Sequence, residues 1–183
     1  MVTGIDHFAA LGLERQLDLS HETLRAHYDG RCQESHPDVG GTAQGFDAVA
    51  EAYKTLSSPS RRLRHWLELS GNKVVEDGSL PPAVEERFGP VNALLHKASE
   101  IAERHRGARS TLVRSLAEAE GISLQGQIVE ARGKLDNVIT EMVSTFRRFD
   151  ESDPHEVRAE AVELVRSLSF LERWETQLRA AWA

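Results

Sequence analysis

The stretch His36-Pro37-Asp38 decides the fold of this chain, because the pattern on either side of it is helical. Residues 20–35 before it are amphipathic, and the same period resumes over about 44–56 after a glycine-rich loop. Pro37 cannot lie inside an ordinary helix and pushes His36 toward extended geometry. The sequence therefore predicts a helical hairpin whose tip carries an imidazole and a carboxylate.

Apolar residues at helical spacing assign an inner face to both helices of this hairpin. Ser20 is a suitable N-cap for the first helix. The inner-face residues of the first helix are Leu24, Tyr28 and either Arg31 or Cys32, and those of the second are Phe46, Val49, Tyr53 and Leu56.

Short helices flank the hairpin. The first is capped by Asp6 or Thr3 and ended by Gly12. Another begins at Ser58-Pro59, where serine caps and proline takes the first helical position, and it closes at Gly71. Its residues expected to face inward are Leu63, Trp66 and Leu67, and those expected to face water are Arg61, Arg62 and Arg64.

Residues 72–81 are rich in glycine, proline and polar residues, so we expect a linker between a first domain, 1–71, and a second, 82–183. The second domain carries three apolar stripes, which predict an antiparallel three-helix bundle of coiled-coil character. The stripes are Val84, Phe88, Val91, Leu94, Ala98 and Ile101, continued by Leu112, Val113 and Leu116; then Leu124, Ile128, Leu135, Val138, Met142, Phe146 and Phe149; then Val157, Ala161, Leu164, Leu168, Leu171, Leu178 and Trp182. The expected helix boundaries are a break at Gly107, a stop at Gly121 and a start at Asp153-Pro154.

Composition is typical of a soluble globular protein, and the expected absence of a membrane span and of a secretory signal indicates the cytoplasm. The 183 residues are 28% charged and 40% hydrophobic, without an apolar run that could span a bilayer and without a secretory signal. The net charge of -7 disfavours binding to nucleic acid or to an anionic membrane. Cys32 is the single cysteine, so no intramolecular disulfide can form, and its position in mid-helix indicates a half-buried thiol.

The sequence assembles no site for catalysis. Its eight histidines show neither HxxxH nor HExxH spacing, and the single cysteine has no partner, so no zinc site is predicted. Ser35, His36 and Asp38 are too close in sequence to adopt the geometry of a catalytic triad. Gly40-Gly41 lacks the Lys-Ser/Thr pair of a phosphate-binding loop. We therefore expect no enzyme activity, no metal and no cofactor.

The first 71 residues resemble a J-domain of the HscB type, in which a helical hairpin carries an HPD tripeptide. Besides that tripeptide, the matching segments are Asp6-His7-Phe8, Leu11-Gly12-Leu13, Ala52-Tyr53-Lys54-Thr55-Leu56, Pro59 and Leu67-Glu68-Leu69-Ser70-Gly71. Near the other end, residues 165–172 resemble the last helix of HscB-type proteins. The resemblance implies an all-α fold, with an N-terminal J-domain (an antiparallel helical hairpin with short flanking helices) and a C-terminal three-helix bundle.

J-domain proteins are co-chaperones, so the resemblance implies that the chain docks on a DnaK- or HscA-type chaperone and stimulates its ATPase. On this resemblance His36, Pro37 and Asp38 couple docking to hydrolysis. The family also steers docking with a basic face on the second helix, where this chain has Arg25 and His27 among acidic neighbours. We therefore expect docking that is weak or insensitive to salt, or a partner with a matched surface.

HscB-type proteins also bind IscU, the scaffold protein on which iron–sulfur clusters are assembled, through apolar residues of the bundle. The resemblance places Phe170 at the aromatic position of the last helix, and Val84 and Phe88 at apolar positions of the first bundle helix. The alternative for all three is ordinary bundle core.

Two other functions stay open. In the first, the J-domain acts on a chaperone while the bundle carries a client other than an iron–sulfur scaffold protein. In the second, the chain is a J-like interaction scaffold that does not stimulate an ATPase. ATPase stimulation separates the second from the rest, and binding of the scaffold protein separates the first from the leading function.

Overall fold

A computed structural model describes residues 5–35, 42–74 and 80–181, and all regular structure in these ranges is helical. The helices are α1 (His7–Ala10), α2 (His21–Ser35), α3 (Ala43–Leu56), α4 (Pro59–Leu69), α5 (Pro82–Gly107), α6 (Thr111–Val143), α7 (Phe146–Asp150) and α8 (Arg158–Ala180). The all-α prediction is confirmed. Within the described ranges, no helix combines the length and the apolar character needed to cross a lipid bilayer.

The N-terminal helices begin and end at the residues that the sequence indicates. Asp6 accepts hydrogen bonds from two backbone N–H groups at the start of α1, at 3.1 and 3.2 Å. Ser20 accepts from the backbone N of Thr23 at 2.9 Å at the start of α2. Gly12 and Gly71, which follow α1 and α4, have φ angles of 69° and 77°, a region that glycine enters without strain.

Helix α3 is the centre of the N-terminal group, since it packs against α1, α2 and α4. The ring of Tyr53 stacks on Tyr28 of α2 with centroids 4.4 Å apart, which joins the two helices of the predicted hairpin. Arg31 and Cys32, the alternatives for the inner face of α2, are both half-buried. The fully or nearly buried residues of α3 are Val49, Ala52 and Leu56.

The chain divides into two compact units. The first joins α1–α4 to residues Met142–Leu168, which include α7, and the second contains α5, most of α6 and the last part of α8. Phe146 and Phe149 of α7 have no exposed surface and belong to the core of the first unit. The boundaries at residues 71 and 82 stay a prediction, because compactness does not establish which segments fold independently.

Arg62 corrects the expectation that the arginines of α4 face water. Its side chain is only 5% exposed, and Nη1 donates to the carbonyl oxygens of Leu17 and Leu19 at 2.9 and 3.0 Å. Its guanidinium lies 5.7 Å from the ring centroid of Phe146. Asp150 accepts from the backbone N–H groups of Leu17 and the next residue at 2.7 and 2.9 Å. Arg62 is buried because the segment between α1 and α2 needs donors for its inward carbonyl groups.

Helix α6 departs from the expected pattern in two ways. Gly121 does not stop it, because burial of its inner face outweighs the cost of about 1 kcal/mol of one glycine in a helix. The stripe expected to continue from α5 is on the outside instead, with Leu112, Val113 and Leu116 exposed by 70%, 45% and 56%. The buried inner face consists of Ala117, Gly121, Leu124, Ile128 and Leu135.

The last helix starts later than predicted. Asp153 accepts from the backbone N of His155 at 2.8 Å, and its carbonyl oxygen accepts from the backbone N–H groups of Glu156 and Val157. These bonds form a turn, and α8 begins after it at Arg158. Its buried stripe is largely as expected and consists of Ala161, Val165, Leu168, Leu171, Trp174 and Leu178. Trp182 lies outside the described residues.

Candidate functional site

The tripeptide His36-Pro37-Asp38 lies outside the described residues, and the structure describes the helix ends on either side of it. Helix α2 ends at Ser35. Helix α3 begins after Thr42, whose Oγ1 accepts a hydrogen bond from the backbone N of Gly45 at 3.1 Å. The tripeptide is thus bracketed by the two helices of the hairpin, and its role in docking stays a prediction.

Arg25 and His27, the other side chains expected to meet a chaperone, lie on α2 in different environments. Arg25 is exposed, with Nε 3.0 Å from Oδ2 of Asp29 and its guanidinium 5.6 Å from the ring centroid of Tyr28. The hydrogen bond with Asp29 raises the pKa of Arg25 above its ordinary value. His27 is half-buried, and its Nδ1 lies 3.0 Å from the carbonyl oxygen of Leu11. Arg25 is therefore available at the surface, whereas His27 fastens α2 to the end of α1.

The second arginine of α2 is also ion-paired within the helix. Arg31 Nη1 lies 2.9 Å from Oε2 of Glu34. The guanidinium covers Gly12, where a Cβ atom would come within 2.8 Å of Arg31 Nη2. Together with Arg25 and Asp29, these pairs leave the surface of α2 nearly balanced in charge. This balance gives a physical basis for the expected weakness of electrostatic steering.

Two of the side chains expected to bind a client, Phe88 and Phe170, lie next to Trp174 in the second unit. The ring centroids of Phe88 and Phe170 lie 6.1 and 6.3 Å from that of Trp174, each tilted by 58°. Trp174 is 4% exposed, Phe88 is 44% exposed and Phe170 is half-buried. Arg173 lies over the ring of Phe170, 4.8 Å from its centroid. We call Phe88, Phe170 and Trp174 the aromatic cluster.

The three residues predicted to bind a client differ in their exposure to solvent. Val84 has no exposed surface, so it supports α5 from within and does not present an apolar surface to a partner. Phe88, one turn further along α5, is exposed, and the exposed Glu85 lies one turn before it on the same side. Sequence reasoning did not place Trp174 among the client-binding residues, although its spacing of four residues from Phe170 on one helix is the signal that could have found it.

Other concave surfaces of the described residues are lined by ion pairs and apolar groups. A groove of about 620 Å³ between α5 and α6 is lined in part by Pro90, Val91 and Leu135, and by Glu130 and Lys134, which lie 2.7 Å apart.

In the described ranges, no three His, Cys, Asp or Glu side chains are grouped so that they could hold a metal ion.

Comparison with known proteins identifies the fold. No family model matches the chain. Among solved structures, the chaperone HscB from Vibrio cholerae matches with a TM-score of 0.58 and 18% identity, and the match covers 96% of each chain. The human co-chaperone protein HscB is 19% identical over 97% of this chain and 82% of its own, with a TM-score of 0.48. The chain therefore has the HscB-type fold over almost its whole length, which confirms the fold implied by the sequence resemblance.

Proposed function

We propose that this protein is a co-chaperone that stimulates the ATPase of a DnaK- or HscA-type chaperone and delivers an IscU-like iron–sulfur scaffold protein to it. In this proposal His36, Pro37 and Asp38 dock on the chaperone, and the aromatic cluster holds the scaffold protein. The observation that carries the proposal is the combination of an HPD tripeptide between the helices α2 and α3 with an HscB-type fold spanning 96% of the chain.

Docking on the chaperone depends on short-range contacts rather than on long-range attraction. Arg25 and Arg31 each have a carboxylate within 3.0 Å on the same helix, so their fields are largely cancelled beyond a few ångströms. We therefore expect that stimulation changes little between low and physiological ionic strength. The same charge balance favours a second candidate function, a J-like contact module that does not stimulate an ATPase.

Single-turnover ATP hydrolysis by DnaK-type and HscA-type chaperones tests the first half of the proposal. The wild-type chain should accelerate hydrolysis, and His36→Gln should reduce the acceleration at least about tenfold, which corresponds to one lost hydrogen bond of about 1.4 kcal/mol. His21→Gln, the same substitution at an exposed position in the first turn of α2, is the matched control and should behave like the wild type. If the wild-type chain accelerates neither chaperone at low salt, the contact module is the better description.

The second half of the proposal concerns the scaffold protein. Phe88 and Phe170 present aromatic surface on a base formed by the buried Trp174, and Glu85 adds an acidic neighbour. A partner with an apolar patch and nearby basic groups would fit this surface. Val84 is unsuitable for testing contact, because its truncation would perturb the core.

Isothermal titration with an IscU-like scaffold protein tests this contact. Phe88→Ala and Phe170→Ala should each weaken binding by about 5- to 30-fold, as expected for an aromatic hot spot of about 1–2 kcal/mol. Ile5→Ala removes an equally apolar side chain, 63% exposed, from the first unit and should leave binding unchanged. Absence of binding in a chain that still stimulates the ATPase would mean that the client is a different protein.

A further inference from the structure

Helix α6 has an exposed apolar face in addition to its buried one. In the described ranges eight large apolar side chains are at least 40% exposed, and five of them belong to α6. The five are Leu112, Val113, Leu116, Ile122 and Val129. A helix of a globular protein usually exposes polar residues on the side opposite the core, so this concentration requires an explanation.

Most of this exposed face follows a heptad pattern. Positions at alternating spacings of three and four residues form a continuous line, which we call the α6 seam. The seam consists of Leu112, Ser115, Ala119, Ile122, Gly126, Val129, Gly133 and Asp136, and all eight residues are exposed. Seven of them are uncharged, and the single charge is at the C-terminal end of the line.

Two of the seam residues are glycines in the middle of a helix. A Cβ atom at Gly126 or Gly133 would have no neighbour within 4 Å, so packing inside the chain does not require glycine there. Each exposed glycine costs about 1 kcal/mol of helix stability relative to alanine. Small residues at every seventh position permit two helix backbones to approach closely, which offsets this cost when a second helix is present.

We propose that the α6 seam pairs with the same seam of a second copy of this chain, with the two helices antiparallel. With the two-fold axis level with Leu124, Ile122 faces the partner's Gly126 and Val129 faces the partner's Ala119. In the middle of the seam each large side chain then meets a small one, and at each end Leu112 faces the partner's Asp136. A parallel pair would place glycine against glycine and isoleucine against isoleucine, which leaves gaps in one layer and crowds the next.

Charges beside the seam agree with the antiparallel register. Within about half a turn of that alignment, Glu118 lies beside the partner's Arg132. This pair has opposite signs, which favours this orientation over others. Glu118 and Arg132 also have ion-pair partners within their own chain.

The size of the seam indicates a reversible dimer. From Leu112 to Asp136 the helix extends about 36 Å, at 1.5 Å per residue, and its contact face is about 10 Å wide. The footprint is therefore about 360 Å² on each copy, below the size of standard stable interfaces. A dissociation constant in the micromolar range is expected.

Sedimentation velocity of the full chain over a range of concentrations tests the dimer. The wild type should shift from a monomer of 20.4 kDa to a dimer below about 100 μM. Ile122→Asp and Val129→Asp should weaken association at least about tenfold while helicity and thermal midpoint stay unchanged, because both side chains are at least 60% exposed. Ile5→Asp, at a similarly exposed position outside the seam, should leave the dimer intact. A wild type that stays monomeric to about 500 μM, or a dimer unaffected by the seam variants, would overturn the proposal.

Disulfide cross-linking then tests the orientation. In a Cys32→Ser background, Ser115→Cys chains mixed with Gly133→Cys chains should form cross-linked dimers, whereas neither variant should cross-link with itself. Self-cross-linking of Gly133→Cys would indicate a parallel pair and overturn the antiparallel arrangement.

Discussion

His65 gives the first unit a stability that depends on pH. Its side chain is 8% exposed, and Nε2 accepts a hydrogen bond from the backbone N of His7 at 3.0 Å. Its ring lies 4.5 Å from that of His7 and 5.7 Å from that of Phe8, measured between centroids. Burial, reinforced by the positive charge that His7 can carry, lowers the pKa of His65 to about 4. Protonation would remove the acceptor and place a charge in the core.

The direction and size of the effect follow from linkage. A histidine in the unfolded chain has a pKa of about 6.5, so between pH 6.5 and pH 4 the unfolded state binds a proton that the folded state does not. The contribution of His65 is therefore fully present above pH 6.5 and is lost as pH falls toward 4. At pH 5 the loss is about 2 kcal/mol, a large fraction of the 5–15 kcal/mol that stabilises an ordinary domain.

Urea unfolding followed by circular dichroism at pH 7.5 and pH 5.0, at one ionic strength, measures this loss. Other groups also titrate in this range, so the relevant quantity is the difference between the wild type and His65→Gln. Glutamine can accept the hydrogen bond from His7 but cannot gain a proton. The wild type should lose about 2 kcal/mol more than His65→Gln between the two pH values, whatever the variant costs at pH 7.5. His21→Gln should lose as much as the wild type.

A direct NMR titration measures the pKa of His65 independently of folding. The NMR signal of the His65 ring in the wild type should titrate near pH 4. A midpoint at pH 6 or above, or equal losses of stability in the wild type and His65→Gln, would refute the account of a buried neutral acceptor.

Three substitutions test other contacts of the first unit, each by urea unfolding at pH 7.5. Asp150→Asn should lower the free energy of unfolding by about 1–2 kcal/mol, because its NH2 group cannot accept from one of the two backbone N–H groups near Leu17; no change would show that these bonds are not maintained in solution. Arg62→Met should cost about 2–4 kcal/mol by leaving the buried carbonyl group of Leu17 and the partly buried one of Leu19 without their donor, and a loss below about 0.5 kcal/mol would contradict the buried role. Gly12→Ala should cost about 1–2 kcal/mol, since its φ is 69° and Arg31 occupies the space of a Cβ atom; an unchanged midpoint would contradict this strain.

The hairpin could be predicted from sequence because its signals are local. Asp6, Ser20 and Ser58 cap helices through backbone groups at most three residues away, and the apolar period of α3 needs no information from elsewhere in the chain. The candidate docking residues followed from the resemblance and not from such signals. His27 shows a limit of prediction from the resemblance, because its contact with the carbonyl oxygen of Leu11 depends on how α2 lies against α1.

Long-range contacts of buried polar groups could not be predicted in the same way. The residue type alone predicts that Arg62 lies at the surface, since arginine is rarely buried without a partner. Its burial depends on Leu17, 45 residues earlier, and on Phe146 in α7. Asp150 completes the same arrangement from a distance of 133 residues along the chain. A local sequence period cannot show such a match of donors and acceptors. A prediction confined to residues 1–71 therefore misses the part of the first unit's core that comes from α7.

The buried face of helix α6 was predicted wrongly for a different reason, and this reason bears on the function of the helix. It carries two apolar lines, an inner one through Ala117 and Leu124 and the seam through Ile122 and Val129. Periodicity shows that a helix has apolar lines but does not show which of them the chain itself covers. Small residues lie on the buried line as well as on the seam, so residue size does not separate them. The chain covers the inner line with its own bundle, and the second line remains exposed for a partner. The sequence prediction was wrong because α6 carries two apolar lines, and a helix that packs on both sides must carry two such lines.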